Sequence, residues 1–397
     1  MNAERLIVTN ASVAGVNSLL ENFTLVCEND RITDLFPSAV PTAGGNVIDA
    51  KGAYLVPGFI DLHIHGLRGK CADNGPGDLN VICNELPGFG VTAFLPALTP
   101  SENECRILSD LASVKTAGTE VLGFFLEGHF LKLTGAIRSM IPVHTAARVK
   151  ALQKAAAGKK LIFGISPEIP GILDLLPLMC EDNTAFITHT MAGYEETEKA
   201  IQAGARHATH FYDVFPYPGE QEPGVRGCGA VEAVMSDREV TVDFILDGEH
   251  VHPGAVKMAL ACKGPSKVCL VTDANINAGL DPGIYRGINN VEIEMKYRGG
   301  PAREYNSSSK ESEADRKPGG LTGSGLTMDL AFKNAVNMLG LSVPAAAALC
   351  SANPAKVLGL DRERGIIEKG LRADFSLFDK DLNIMASYIS GKCVFSA

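Results

Sequence analysis

Two histidines one residue apart, His63 and His65, close the apolar run "LVPGFIDLHIHG" at Leu55 to Gly66. Side chains at i and i+2 of a strand share a face, so both imidazoles point the same way. Neutral imidazole is the commonest metal ligand, and two on one rigid strand make half of a preorganised site. Buried, hydrogen-bonded histidines would be spelled the same way. The chain has nine histidines, and His250 and His252 form a second such pair.

Four other apolar runs end on a metal-competent side chain. "VLGFFLEG" ends on Glu127, "AFITHT" on His189, "HATHF" on His210 and "VCLVTDA" on Asp273. A bare carboxylate at the end of such a run is costly unless it is paired or ligated. An ion pair would account for Glu127 and a helix N-cap for Asp273, but neither explains five strands ending alike. Oxygen and imidazole donors without thiolate suit Zn2+, Fe2+, Mn2+ or Co2+ and do not choose among them. The cysteines lie away from strand ends and are excluded as ligands. A bound divalent ion lowers the pKa of water from about 15.7 to about 7 and polarises a carbonyl. A carboxylate beside it can take the water's proton and deliver it to a leaving amine. Asp273, on the last strand and opposite the histidines, fits that role. The residues predict a metal-dependent hydrolase of an amide or similar bond. His63, His65, Glu127, His189, His210 and Asp273 are the side chains expected around the ion.

Such convergence needs a scaffold. The middle of the chain alternates short apolar runs, "GFIDLHIH", "TAFLPAL", "VLGFFLE", "KLIFGIS", "TAFITHT", "RHATHF", "VTVDFIL" and "KVCLVTDA", with helix-like segments. "SENECRILSDLASVKTAG", "EETEKAIQAGA" and "HPGAVKMALACKG" are examples of the latter. Eight strands bounded by helices favour an α/β fold, a (β/α)8 TIM barrel with its chemistry at the C-terminal mouth of the strands. Periodicity alone also allows a doubly wound open sheet. Residues 1–54 and 362–397 read as short strands separated by Asn, Gly and Pro clusters, and predict one small β-domain assembled from both chain ends. The barrel is expected over 55–361. The polar stretch from Tyr297 to Gly320 reads as a loop or extended hairpin. The glycine-rich "GGLTGSGLTMD" that follows lacks the lysine and the strand–turn–helix setting of a phosphate-binding loop.

Of the 397 residues, 46% are hydrophobic and 21% charged, an ordinary globular balance. The net charge of -10 supplies no basic footprint for nucleic acid. No apolar run reaches the roughly 20 residues that span a bilayer. The start, "MNAERLIVTN", runs into a strand-like segment without the pattern of a signal peptide. Ten cysteines are scattered without a CxxC pair, which points to reduced thiols in the cytoplasm.

"PGFIDLHIHG" resembles the first-strand signature of the amidohydrolase superfamily. More narrowly, the order "LEG" (126–128), "THT" (188–190), "AGARHATHFYD" (203–213), "EPG" (222–224), "DGEHV" (247–251), "LVTDA" (270–274) and "LTGSGLTM" (321–328) is similar to the N-acetylglucosamine-6-phosphate deacetylase family, over nearly the whole chain. The resemblance implies a metal-bearing barrel with a β-sandwich from both ends and a homodimer acting on a small N-acetylated amino sugar. It makes Glu127, His189 and His210 the ligands of the main metal, with zinc the foremost candidate. His63 and His65 allow a second metal with Glu127 as bridge. Asp273 becomes the general base and then acid, and His250 the histidine that reaches the substrate.

Departures from that pattern fall on the sugar and phosphate contacts. In "EGHFLKLTGAIRS", His129 replaces a proline and Ile137, after Ala136, stands where a sugar-holding histidine is expected. Asp213 replaces an asparagine near the phosphate, and Gln221 replaces an arginine that pairs with phosphate across the dimer interface. Losing the arginine removes a bidentate donor. A nearby carboxylate repels a dianion by on the order of 1 to 4 kcal/mol per unit charge pair at about 4 Å. Arg226, Arg138 or Lys132 could compensate, though each also reads as a solvated surface charge. Substrate contacts are therefore expected at His250, Ala136, Asp213, Gln221, His129 and Arg226, with the phosphate preference weakened or moved. His129 reads equally as a packed side chain. His144 and His207 read as structural, His252 as a surface residue opening a helix, and Glu168 as a supporting residue. Two other readings stay open: a hydrolase of another amide, such as an N-acyl amino acid or a cyclic amide, and a non-catalytic binding barrel.

Overall fold

Near-continuous apolar runs are what strands covered on both faces require, and each of the eight runs becomes a parallel strand in the computed structural model. The structure describes residues 5–37, 45–137, 141–219, 222–287, 291–305 and 319–397. The barrel strands are β1 (Phe59–Ile64), β2 (Val91–Leu98), β3 (Gly123–Phe130), β4 (Lys160–Ile165), β5 (Thr184–Ile187), β6 (His207–Ala208), β7 (Thr241–Ile245) and β8 (Val268–Val271). Each pairs in parallel with the next, from β1 through β8. Between β8 and β1 the ladder shrinks to one parallel bridge, Ile64 to Ala274. The amide of His65 donates to the Ala274 carbonyl at 3.0 Å there. A carboxylate reinforces this seam. Buried Asp61 on β1 accepts from the Thr272 hydroxyl at 2.6 Å and from the Thr272 amide at 3.3 Å.

The helices fall where the amphipathic segments predict them: Glu104–Ala112, Tyr194–Gln202 and Pro253–Lys263 among them. His252 opens the last of these as its N-cap, its Nδ1 accepting from the Gly254 amide at 3.0 Å. Phe59, Phe94, Phe124, Phe163, Phe186 and Phe244 are fully buried in the barrel core. Each such side chain is worth roughly 1.5–3 kcal/mol of transfer free energy. Among the described residues no helix is long and apolar enough to cross a membrane.

Both chain ends join one eight-stranded sheet, in the order Lys392–Ser396, Ile384–Ile389, Phe375–Phe378, Tyr54–Pro57, Arg5–Ala14, Leu19–Glu28 and Arg31–Pro37, with Asn46–Asp49 also beside Arg5–Ala14. It closes over its own apolar cluster, which includes Val8, Leu25, Leu55, Phe375 and Tyr388. Gly58 lies between this sheet and β1, and a Cβ there would stand 2.3 Å from the Thr92 hydroxyl oxygen.

A third sheet is not foreshadowed as such by the sequence. Strands Gly283–Arg286, Glu292–Met295, Pro301–Glu304 and Leu321–Ser324 form an antiparallel sheet of four at the barrel mouth. The stretch expected as a loop or hairpin supplies the third strand, the glycine-rich segment after it supplies the fourth, and residues 306–318 lie outside the described residues. Leu321–Ser324 reaches β8 through a parallel bridge from Ser324 to Ala274. Gly323 permits that approach: its φ is +64°, and a Cβ would meet the Asp273 carbonyl at 2.9 Å.

Candidate metal centre

Three of the five strand ends that the sequence singles out turn sharply where they present their side chains to the cluster. His189, His210 and Asp273, just past β5, β6 and β8, have φ values of 49°, 32° and 45°. Side chains with a Cβ rarely adopt this left-handed region, at about 1–3 kcal/mol each, and such strain persists where surrounding structure over-determines it. That support is visible. The His210 amide donates to Asp243 on β7, which also accepts from the Thr209 hydroxyl at 2.9 Å and pairs with His207 Nε2 at 2.8 Å. Past His189, Glu168 accepts from the Thr190 hydroxyl at 2.5 Å and from the Met191 amide at 2.9 Å.

One carboxylate lies at the centre of the cluster. Glu127 Oε1 stands 3.2 Å from His189 Nε2 and 3.1 Å from His210 Nε2. Its Oε2 stands 2.9 Å from His65 Nε2 and 3.5 Å from His63 Nε2. Asp273 Oδ1 lies 3.6 and 3.5 Å from the Nε2 atoms of His63 and His65. All six side chains are buried. The His189 Nδ1 lies 3.0 Å from the Leu133 carbonyl, a contact that turns Nε2 toward Glu127.

The electrostatics show how strongly this cluster demands positive charge. Burial works to raise the Glu127 pKa, yet the charge of His63 and the hydrogen bonds of His189, His210 and His63 hold it well below the carboxylate range. Burial works to lower the histidines, and the hydrogen bond and charge of Glu127 override it. His65 is pushed up to about 9 and His210 to about 10. Asp273 Oδ1 is buried without a hydrogen-bond partner. Buried imidazoles gathered on one carboxylate, with a partnerless carboxylate oxygen beside them, are the features of a cation site. Two triads could hold an ion, His63, His65 and Glu127, and Glu127, His189 and His210, with Glu127 common to both. Histidine and carboxylate donors without thiolate fit a divalent metal.

The cluster floors a cavity at the barrel mouth. His65, Glu127, His189 and Asp273 line it together with Ala136, Asp213, and Glu304 and Thr322 of the small sheet. Of the expected substrate contacts, Ala136 and Asp213 thus reach the cavity. His250 stands beside it, within electrostatic reach of Asp213 and Asp273. Its Nδ1 donates to Asp247 at 2.6 Å, while its Nε2 is buried without a partner.

His129 does not join them. Gly128, with φ +90°, and a register shift in β3 after Leu126 break the alternation that would align residue 129 with Glu127. His129 instead packs against Glu104 at 3.4 Å, and burial drives its pKa down to about 4. Arg226 is 76% exposed, paired with Glu232 at 3.2 Å and placed over the Tyr217 ring. Gln221 and Arg138 lie outside the described residues. Asp61, Asp243, the Thr188 hydroxyl, 3.2 Å from His210 Nε2, and the Leu133 carbonyl are positioning groups that sequence reasoning missed. For the two aspartates a signal existed, since each is an acid in mid-run of an apolar strand, "GFIDLHIH" and "VTVDFIL".

The family model for the amidohydrolase family matches residues 54–395. The chain belongs to the amidohydrolase family. This amidohydrolase is similar to an N-acetylgalactosamine-6-phosphate deacetylase of Escherichia coli, 26% identical over 91% of this chain and 93% of that one. It is similar to an N-acetylglucosamine-6-phosphate deacetylase of Bacillus subtilis, 29% identical over 99% and 98%. Among solved structures, a Mycobacterium smegmatis N-acetyl-D-glucosamine-6-phosphate deacetylase variant, in complex with N-acetyl-D-glucosamine-6-phosphate, superposes with a TM-score of 0.83. It is 27% identical, with all of both chains covered.

Proposed function

We propose that this amidohydrolase removes the acetyl group from an N-acetylated amino sugar, releasing acetate and the free amine. The observation that carries the reading is the shared Glu127 carboxylate, with an imidazole pair on each oxygen and Asp273 facing both histidines of β1. Similarity to amino-sugar-phosphate deacetylases over nearly the full length supports the substrate class.

In this reading Glu127, His189 and His210 hold the main metal, and His63 and His65 a second, with Glu127 between them. Zinc fits the donor set, as do Fe2+, Mn2+ and Co2+. A divalent ion there supplies Lewis acidity and a water acidified toward neutral pH. The rest is done by the chain. Asp273 takes the proton of the attacking water and hands it to the departing nitrogen. His250, fixed by Asp247, presents its Nε2 toward the substrate. Glu304 and Thr322 of the small sheet line the cavity that receives the substrate. The ten free thiols accord with a cytoplasmic enzyme. The resemblance to the deacetylase family carries the expectation of a homodimer, which sedimentation reads.

The test is acetate release from a panel of N-acetyl amino sugars and N-acyl amino acids by protein stripped with chelator and reloaded with single metals. The reading expects turnover of amino sugars only after metal is restored. Turnover confined to N-acyl amino acids would replace it with the other amide-hydrolase reading.

A further inference from the structure

The two histidines that share Glu127 Oε1 are aimed in different ways. His189 has its Nδ1 3.0 Å from the Leu133 carbonyl, a contact on the ring itself that sets its direction. His210 has no such contact: its Nδ1 is buried without a hydrogen-bond partner among the described residues. Its Nε2 faces Glu127 at 3.1 Å and the Thr188 hydroxyl at 3.2 Å. The aim of the His210 ring must therefore come from its backbone.

That backbone is strained, with φ at 32°, and Asp243 grips it twice. The His210 amide donates to the Asp243 carboxylate, and the Phe211 amide to the Asp243 carbonyl at 2.8 Å. Asp243 is fully buried, and a buried carboxylate holds its place only while donors fill its lone pairs. The Thr209 hydroxyl supplies one, at 2.9 Å, and His207 Nε2 another, at 2.8 Å. Among the described residues no lysine or arginine pairs with Asp243, so His207 is its basic partner. His207 is itself locked. It is fully buried, its ring centroid lies 4.2 Å from that of Phe186, and its Nδ1 lies 2.7 Å from the Thr241 hydroxyl oxygen. Turning the ring would break both polar contacts.

We propose that His207 is a positioning residue of the metal centre. Through Asp243 it fixes the backbone of His210 and so aims that imidazole at the ion held with Glu127 and His189. This rests on the metal-dependent reading above and adds to it a side chain whose own hydrogen bonds lie outside the cluster.

The experiment titrates Co2+ into the chelator-stripped full-length chain, reading affinity and the visible absorption that reports ligand geometry. His207→Leu removes both ring nitrogens. It should bind the ion about 10–100-fold more weakly, with a changed spectrum. Reloaded with metal, it should lose kcat while KM for an N-acetyl amino sugar holds. His207→Gln, which can still donate to Asp243, should recover most of the affinity and the parent's spectrum. Urea melts of the same samples separate positioning from packing: lowered stability with parental affinity and spectrum would overturn the inference. If His207→Leu does not fold, Thr241→Val, which frees Nδ1 alone, should shift affinity and spectrum in the same direction, and parental values there would overturn it. If the parent binds no Co2+, the metal-dependent reading fails and this inference with it.

Discussion

The Asp61 carboxylate clasps Thr272 across the barrel seam, Oδ2 accepting from the hydroxyl at 2.6 Å and Oδ1 from the amide at 3.3 Å. Oδ1 also accepts from the His63 amide at 3.2 Å. One buried acid thus fixes the strand that carries His63 and His65 against the strand end that carries Asp273.

Replacing Asp61 with Ala should orphan these buried donors, at roughly 1–3 kcal/mol each. The variant is expected to unfold at lower urea concentration than the parent. It should also hold metal about 10–100-fold more weakly, as losses of groups that orient ligands do. Unchanged stability and metal content together would show that the seam does not depend on this carboxylate.

Glu127→Gln keeps the shape of the central side chain and removes its charge. The variant should lose metal by more than the roughly 10–100-fold of outer-sphere substitutions, because both triads share that carboxylate. Elemental analysis after dialysis against buffered metal reads this directly. Full retention of metal would place the ion elsewhere.

How much of this was legible in the sequence differs by element. The eight strands were readable because burial on both faces demands apolar runs, and their closing residues stood out as polar ends to such runs. The sequence left His129 open between lining the pocket and packing, because period-two alternation holds only while the ladder stays in register, and Gly128 breaks it. The small sheet over the mouth escaped because its four-residue strands mix exposed and buried positions too briefly for a pattern. Asp61 and Asp243 were visible as mid-strand acids, but their partners lie on other strands, a relation no local spacing encodes.

The buried His250–Asp247 pair gives a pH signature. Burial works to lower the His250 pKa, but the hydrogen bond and charge of Asp247, with Asp213 and Asp273 beyond, raise it above its ordinary 6.5. Burial works to raise Asp247, and His250 lowers it below its ordinary 3.8. The raised histidine contributes fully below 6.5 and loses its contribution as pH rises through its folded value. The lowered aspartate contributes above 3.8 and loses its contribution as pH falls through its folded value. The parent should therefore exceed Asp247→Asn in stability most between those two ordinary values, by about 3 kcal/mol or more. The gap should narrow as pH rises above 6.5 through the folded value of the histidine. Urea melts across this range that show a constant gap would contradict the pairing.

The most direct test of the central claim is acetate release by Asp273→Asn beside the parent, with bound metal measured in the same samples. The account predicts a variant that keeps most of its metal and loses activity by roughly a hundredfold to ten-thousandfold, the usual scale for a proton-transferring group. A variant with metal retained and turnover equal to the parent's would remove Asp273 from the chemistry and contradict the account.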